Sequence, residues 1–235
     1  MRWISPAWVL ALFGALPAVR AATIQFTDLP ENQSYGTYNG FSIATVDGLS
    51  DQLLICDDYD HTTYMPSPPL TYTVSTLAGL DAMEDARFVS PKGLSNADVT
   101  RYREAALLLD GLTSSGPNAP GSTIADYQYA LWHLFTPSAP IYRPEQQQLL
   151  DTALARVESN DAALESIYSR LRIYTPAEGF TSNQEFLQES PVPEPGTMVL
   201  IGGALVIAAA VLRRSAAARR KIVKGVGDTP ASERL

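Results

Sequence analysis

The stretch "QLLICDDYDH", residues 52–61, contains the only cysteine of the 235-residue chain. Its first half has the composition of a β-strand, in which alternation puts Leu54 and Cys56 on the same face. Asp57 and Asp58 follow directly, which indicates that the strand ends at this point. Cys56 is therefore predicted to lie near the end of a strand, at the rim of a β-structure rather than deep inside it.

The first half of the chain contains further strand-like segments that are rich in β-branched and aromatic residues. They are "TIQFTDL" (23–29), "YGTYNGFSIATV" (35–46) and "LTYTVSTL" (70–77), with breaks at Asn and Gly residues. The segment "DGLS" (47–50) has the composition of a hairpin turn. The N-terminal half is therefore predicted to form a sandwich-like or barrel-like β-structure.

The second half has the hydrophobic period of amphipathic helices. Ser95 and Asp98 have the spacing of a capping box at the start of a first helix. A second helix is predicted to run to Phe135, with Ser122 or Thr123 as its N-cap.

Two more helices and a strand complete the predicted elements. The third helix starts at Pro144, in the first-turn position that proline favours. A shorter fourth helix is predicted over 161–171, and a return to strand over 172–176. A β-rich half followed by a helical half favours an α+β domain in which the two are packed together but segregated.

The N-terminus has the layout of a secretory signal peptide. Arg2 gives a positive start, Trp8 to Ala18 form an apolar stretch, and cleavage is predicted after Ala21. The apolar stretch is too short for a lasting membrane span. Residues 1–21 are therefore predicted to be removed on export, and residues 22–181 to form the ectodomain.

The C-terminal region has the pattern of a membrane anchor. A polar, proline-bearing linker is predicted over 182–196, and an uncharged transmembrane helix over 197–212. The tail over 213–235 begins with Arg213 and Arg214. Such a basic block stays in the cytoplasm, which places the preceding domain outside it.

Pro193-Glu194-Pro195, the apolar segment and the arginine cluster together resemble a PEP-CTERM sorting signal. The resemblance implies a Gram-negative bacterium that holds the precursor in its inner membrane by the C-terminal helix. It also implies processing by the membrane enzyme exosortase. The mature protein would then reach the cell surface or the extracellular matrix of a biofilm.

Charge restricts the partners of the exported part. Residues 22–196 contain 23 Asp and Glu against 8 Lys and Arg, a formal net charge of −15, whereas the whole chain has −8. Nucleic acid requires a basic surface, so it is not expected as a partner. An acidic exopolysaccharide would bind such a surface only through bridging divalent cations.

Two interpretations of Cys56 give it no reactivity of its own. It is a buried core thiol, the usual role of a free cysteine. Alternatively it is the thiolate ligand of a metal site. Asp57, Asp58 and Asp60 would offer oxygen ligands there, and His61 a nitrogen ligand, with calcium as the favoured ion. No other cofactor is expected.

A third interpretation makes Cys56 the nucleophile of a hydrolase. This chemistry needs a base that generates the thiolate, and His133 and His61 are the only histidines in the chain. His133 follows Trp132 on the predicted second helix and can reach the rim of the β-structure.

The segment "YQYALWHLF" (127–135) supports a fourth interpretation. Gln128, Ala130 and Trp132 have a Q-x-A-x-W spacing, and together with the upstream Cys56 they resemble the thioester domains of Gram-positive surface adhesins. The resemblance implies that Cys56 provides the sulfur and Gln128 the acyl group of an internal thioester, with Ala130 and Trp132 packed around it. It also implies a β-rich part followed by helices.

Thioester formation explains why these residue types are needed. An amide carbonyl reacts with a thiolate only when it is held in contact and polarised. We expect the amides at the N-terminus of the second helix to stabilise the oxyanion on Gln128, and Trp132 to shield the bond.

The sequence therefore predicts a non-enzymatic, envelope-anchored surface protein that serves adhesion or matrix assembly. Its partner would be a surface or matrix molecule that bears amines. The alternatives are a Cys/His hydrolase and a non-covalent, calcium-assisted binding module.

Overall fold

The computed structural model describes residues 20–28, 34–35, 37–38, 40–77, 80–116 and 119–190. The central feature of this part of the chain is a closed barrel of six antiparallel strands, in the order β1-β4-β5-β8-β7-β6, and β2 and β3 form a separate small sheet. The predicted barrel-like β-structure is confirmed. The strands are β1 (Arg20–Asp28), β2 (Ser34–Tyr35), β3 (Thr37–Tyr38), β4 (Phe41–Val46), β5 (Leu49–Cys56), β6 (Leu70–Thr76), β7 (Leu171–Pro176) and β8 (Phe186–Glu189).

A tight hairpin joins β4 to β5. Asp47 and Gly48 both adopt positive φ, 50° and 83°, and Val46 pairs with Leu49. Two consecutive left-handed residues are typical of a type I′ turn, whose twist matches that of the flanking strands. The hairpin predicted at 47–50 is confirmed, and the strand that follows it ends at Cys56.

The interior of the barrel is filled by alternate residues of its strands, as pleating requires. Burial alternates strictly along β4. The centre is an aromatic cluster, in which the rings of Phe26 and Phe186 lie 4.5 Å apart and both meet Tyr72 edge-on. All three rings are fully buried, and removing each from water stabilises the fold by about 1.5–3 kcal/mol.

The helices follow β6 along the chain. A 3-10 helix, Leu80–Asp85, leads to α1, whose predicted capping box is confirmed. The Asp98 amide donates to Ser95 Oγ at 3.2 Å, and the Asp98 carboxylate accepts from the Ser95 amide at 3.0 Å. The α-helices are α1 (Asn96–Ser114), α2 (Gly121–Phe135), α3 (Pro144–Glu158) and α4 (Glu165–Tyr168).

The start of α2 differs from the prediction. The helix begins at Gly121 and has no side-chain cap, so the predicted caps Ser122 and Thr123 are wrong. Pro120 is extended, and its carbonyl accepts the first helical bond, from the Ile124 amide at 3.1 Å. The chain therefore enters the helix earlier, and both predicted caps lie within its first turn.

The predicted fourth helix is shorter than expected. The segment 161–171 forms a 3-10 turn, Ala162–Leu164, followed by the single turn of α4. The chain then re-enters the barrel at Leu171, which confirms the strand predicted over 172–176.

Strand β5 separates two hydrophobic cores. Leu54 and Cys56 belong to the core inside the barrel, whereas Ile55 belongs to the core formed with the helices. Ile173 of β7 and Leu187 of β8 also face the helices. The helices therefore cover one side of the barrel, in agreement with the predicted α+β class.

Strand β8 corrects the predicted domain boundary. The linker was predicted to begin at residue 182, but β8 pairs with β5 on one side and β7 on the other, and so closes the barrel. Its two adjacent apolar residues, Phe186 and Leu187, face opposite cores and have polar neighbours. Such a short segment lacks any recognisable period. The folded unit extends to Ser190.

The predicted terminal segments lie largely outside the described residues. Of the signal peptide predicted over 1–21, only Arg20 and Ala21 are described, as the first residues of β1. The membrane helix predicted over 197–212 and the basic tail fall beyond them. Within the described ranges, no helix is both long and apolar enough to cross a membrane.

We expect Phe186→Ala to lower the free energy of unfolding of the ectodomain by about 3–5 kcal/mol, because it leaves a cavity among three packed rings. Phe180 is 36% exposed and serves as the matched control. Phe180→Ala should cost no more than about 1 kcal/mol. Urea titration of residues 22–190 measures both values, and equal losses would contradict the closing role of β8.

Candidate functional site

Cys56 lies at the last position of β5, where the barrel meets α2. Its side chain is 7% exposed. Its Sγ donates to the Asp58 carbonyl at 3.1 Å and accepts a hydrogen bond from Trp132 Nε1 at 3.2 Å. The predicted position at a strand end is confirmed, and the thiol is held by a main-chain group on one side and an indole on the other.

Gln128 of α2 is bound to the same point. The side chain is buried, and its Nε2 donates to the Cys56 carbonyl at 2.5 Å. Its Oε1 accepts from the Gly40 amide at 3.2 Å. Both ends of the Gln128 amide are therefore fixed by main-chain groups from different segments of the barrel.

The donor to Gln128 Oε1 differs from the one expected. The amides at the start of α2 were predicted to face this oxygen, but Gln128 is two helical turns beyond Gly121. Amides this far inside a helix are used by the helix itself. The amide that donates to Gln128 Oε1 is instead that of Gly40, directly before β4.

The structure brings Trp132 to this pair and separates Ala130 from it. Trp132 lies one turn beyond Gln128, is almost buried, and packs between Tyr59 and Tyr129 with ring centroids 5.4 and 5.2 Å away. Ala130 faces the helical core instead. Trp132 therefore covers the sulfur, as predicted, whereas Ala130 packs the helix.

His133 makes a different contact from the one that a hydrolase needs. Its Nδ1 donates to the Ala139 carbonyl at 2.8 Å. The polar contacts recorded for the Cys56 sulfur are those with Asp58 and Trp132. The described geometry therefore does not pair Cys56 with His133.

The environment disfavours the charged form of Cys56. Burial raises the pKa of the Cys56 thiol far above its usual range, and the neighbouring Asp57 raises it further. The hydrogen bond from Trp132 acts in the opposite direction but is the smaller effect. The resting sulfur is therefore a neutral thiol.

The three aspartates proposed as calcium ligands have separate surroundings. Asp57 is fully buried, and its carboxyl group contacts the carboxyl group of Glu185. The Asp58 carboxylate binds Arg87 and His61, and Asp60 is exposed. Among the described residues, no three acidic, His or Cys side chains are grouped as metal ligands would be.

Glu185 forms a buried acidic pair with Asp57. Its carboxylate accepts hydrogen bonds from Tyr102 Oη at 2.6 Å, from the Arg87 amide at 2.8 Å and from the Thr175 hydroxyl. Burial raises the pKa of Glu185, and these donors act in the opposite direction because they favour its charged form. Asp57 lacks them, and burial together with the charge of Glu185 raises the pKa of Asp57 well above its usual range.

Sequence reasoning missed Glu185, Tyr102, Arg87 and Gly40. Tyr102 and Glu185 are 83 positions apart, and each has an ordinary sequence context. Only the closure of the barrel by β8 brings Glu185 to this site. A buried acid next to Phe186 in a short strand leaves no signal that sequence alone can detect.

A cavity of about 390 Å³ opens next to the pair. Cys56, Gln128 and Trp132 line it on one side, and His61 and Tyr64 on another. Ligand sites are concave and mostly apolar, with a few polar groups that fix orientation. A small group that enters this cavity is therefore brought close to both members of the Cys56–Gln128 pair.

Residues 191–215 match the family model of the PEP-CTERM protein-sorting motif. The chain carries this sorting signal. It marks an exported surface protein of Gram-negative bacteria, anchored in the membrane before exosortase processes it. The match lies beyond the described residues and contains the predicted motif residues Pro193, Glu194, Pro195, Arg213 and Arg214.

Two solved structures are similar to the chain at low identity. One is the N-terminal domain of the Streptococcus pyogenes pilus tip adhesin Cpa, with 17% identity, a TM-score of 0.38, and coverage of 72% of this chain and 94% of that one. The other is the N-terminal thioester domain of fibronectin-binding protein SfbI from Streptococcus pyogenes. Its identity is 15% and its TM-score 0.39, and the match covers 73% of this chain and 94% of that one. No curated protein gives a significant match.

We expect Asp57→Asn to stabilise the ectodomain relative to wild type by an amount that grows with pH. Because the pKa of Asp57 is raised in the folded state, folding retains a proton that the unfolded chain releases at lower pH. The wild type therefore loses stability as pH rises from about 4 towards the folded pKa, whereas Asn has no proton to lose.

Urea titrations between about pH 4 and pH 8 measure this difference. The exposed Asp60→Asn is the control and should give a nearly constant difference from wild type. A constant difference for Asp57→Asn as well would contradict the assignment of the retained proton.

Proposed function

We propose that this exported surface protein forms an internal thioester between Cys56 and Gln128 and uses it to capture amines covalently, in adhesion or matrix assembly. One observation carries the proposal. The buried Gln128 amide is held by two hydrogen bonds against the residue that bears the only thiol of the chain, 72 positions earlier. These bonds place the acyl group of Gln128 beside the main chain of Cys56, and the positioning of reacting groups is worth orders of magnitude in rate.

Formation of the bond is a balanced exchange that needs no external reagent. The Cys56 sulfur attacks Cδ of Gln128, a carbon–sulfur bond forms, and the bond from Cδ to Nε2 breaks. The thiol proton leaves with Nε2 as ammonia. The Gly40 amide, which already donates to Oε1, stabilises the negative charge that develops on that oxygen. The reaction requires no cofactor, and we propose none.

The same surroundings make the finished bond durable. A thiol with a raised pKa is a poor leaving group, so attack on the thioester expels it slowly. Cys56 is 7% exposed and Gln128 is 1% exposed, which restricts the access of water. A thioester sulfur is also neutral, so it avoids the penalty of burying a thiolate. These properties suit a stored electrophile.

They suit a hydrolase less well. A cysteine hydrolase must regenerate its thiolate in every turnover, whereas a thioester forms once for each molecule. The His133 ring is engaged by the Ala139 carbonyl and the His61 ring by Asp58, whereas the recorded hydrogen bonds of the Cys56 sulfur are those with Asp58 and Trp132, so neither histidine is bonded to the thiol. We therefore propose a covalent binding protein rather than an enzyme.

The charge of the ectodomain favours a basic partner. Residues 22–196 have a formal net charge of −15, and complementary charge speeds the encounter of two proteins. Lysine supplies both a positive charge and the primary amine that attacks a thioester. The proposed partner is therefore a lysine-bearing surface or matrix protein.

Intact-protein mass spectrometry of residues 22–190, purified without reductant or amines, tests the proposal. The wild-type protein should be lighter than its sequence by one ammonia. Incubation with methylamine should add the mass of one methylamine, which gives a methylamide one CH2 heavier than the sequence, and release a titratable thiol. A wild-type protein of full mass with a free thiol would rule the thioester out and leave a non-covalent binding module.

The variants assign the bond to its two residues. Cys56→Ala and Gln128→Ala should each have the full mass of their own sequence. Gln147, an exposed glutamine of α3, provides the matched control, and Gln147→Ala should keep the deficit. A deficit that persists in Gln128→Ala would assign the acyl group to another residue.

A further inference from the structure

His61 lies in the wall of the cavity that opens beside Cys56 and Gln128. Its side chain is 39% exposed, so it is accessible to a molecule that enters from solvent. His61 follows Cys56 by five residues, and its ring contacts the Asp58 carboxylate. It is thus a titratable side chain in the same cavity as the sulfur and the acyl carbon.

Hydrogen bonds fix the orientation of the His61 ring and the position of its proton. Nδ1 lies 2.9 Å from Oδ1 of Asp58, whose other oxygen binds the Arg87 guanidinium. A carboxylate paired with arginine is ionised and only accepts hydrogen bonds, so His61 Nδ1 carries the proton. In the neutral form of this ring, Nε2 is the nitrogen with the lone pair that can accept a proton.

The support for this ring is itself rigid. Asp58 is 1% exposed, and the Arg87 side chain also donates to the Thr181 carbonyl at 2.8 Å. The Asp58 main chain accepts from the Cys56 sulfur and from Gln184 Nε2. Asp58 thus contacts both functional groups. Its main-chain carbonyl accepts from the Cys56 thiol, and its carboxylate binds the His61 imidazole.

Amine capture needs a group of this kind. A primary amine that attacks a carbonyl acquires a positive charge and must lose a proton before the new amide is stable. The departing sulfur must gain a proton, because burial makes a free thiolate unfavourable at this position. A base that takes the proton from nitrogen and returns it to sulfur serves both needs.

We propose that His61, held by Asp58, is the general base and acid of the amine-capture step. The proposal rests on the thioester of the preceding section. The amine nitrogen bonds to Cδ of Gln128 and gives a proton to Nε2 of His61. The bond between Cδ and Sγ breaks, and Nε2 passes the proton to Sγ. The products are an amide at position 128 and the free thiol of Cys56, so atoms and electrons balance.

Two substitutions at His61 and one control separate this role from a structural one. His61→Gln keeps a polar side chain of similar length but cannot relay a proton, and His61→Ala leaves room for free imidazole. His133→Gln removes the other histidine of the chain. The probe is methylamine, and mass spectrometry follows both the thioester before its addition and the methylamide after it.

We expect both His61 variants to contain the thioester and to react with methylamine about 10²–10⁴-fold more slowly than wild type. Added imidazole should restore much of the rate to His61→Ala and little to His61→Gln. His133→Gln should react like wild type. A structural role predicts neither the selective loss nor the rescue.

The possible failures are distinguishable. If wild type lacks the thioester, the proposed function and this inference both fall. If the His61 variants contain the thioester and react at the wild-type rate, only this inference falls. If the variants lack the thioester, His61 can instead be acylated with diethyl pyrocarbonate in the folded His133→Gln protein, which has no other histidine. An unchanged rate of reaction with methylamine after acylation overturns the acid–base role of His61.

Discussion

The contact between the side chain of Gln128 and the main chain of Cys56 is the constraint on which the site depends. It joins α2 to the end of β5, where the helical layer meets the mouth of the barrel. A buried amide without partners would cost about 1–3 kcal/mol, and Gln128 avoids this by using the Cys56 carbonyl and the Gly40 amide. The same bonds that satisfy it also fix its orientation, so the proposed reactivity depends on the bonds that stabilise the buried amide.

The three acidic residues near the sulfur, Asp57, Asp58 and Glu185, each have different surroundings. Asp58 is paired with Arg87, Glu185 accepts hydrogen bonds from several donors, and burial together with the charge of Glu185 raises the pKa of Asp57. The result is an environment in which a further negative charge on Cys56 is unfavourable. A neutral thioester suits such a place better than a thiolate does. The sequence around the cysteine alone resembles a cation site, because it is rich in carboxylates. In the folded protein these carboxyl groups have different partners and different degrees of burial.

Local chemistry made part of this structure predictable. The capping box at Ser95 and the turn at Gly48 depend on residues a few positions apart, and both were predicted correctly. The position of Gln128 beside Cys56 was accessible only through the spacing of a motif. Glu185 was missed because it reaches the site through barrel closure, and short strands such as β8 have no period of their own. Gly40 is brought opposite Cys56 by the pairing of β4 with β5.

A crystal structure of the ectodomain, grown from protein kept free of amines and reductants, tests the central claim most directly. The account predicts continuous electron density between Sγ of Cys56 and Cδ of Gln128, with no density for Nε2 and with the Gly40 amide on the remaining oxygen. Separate side chains at van der Waals distance, with an intact Gln128 amide, would contradict it.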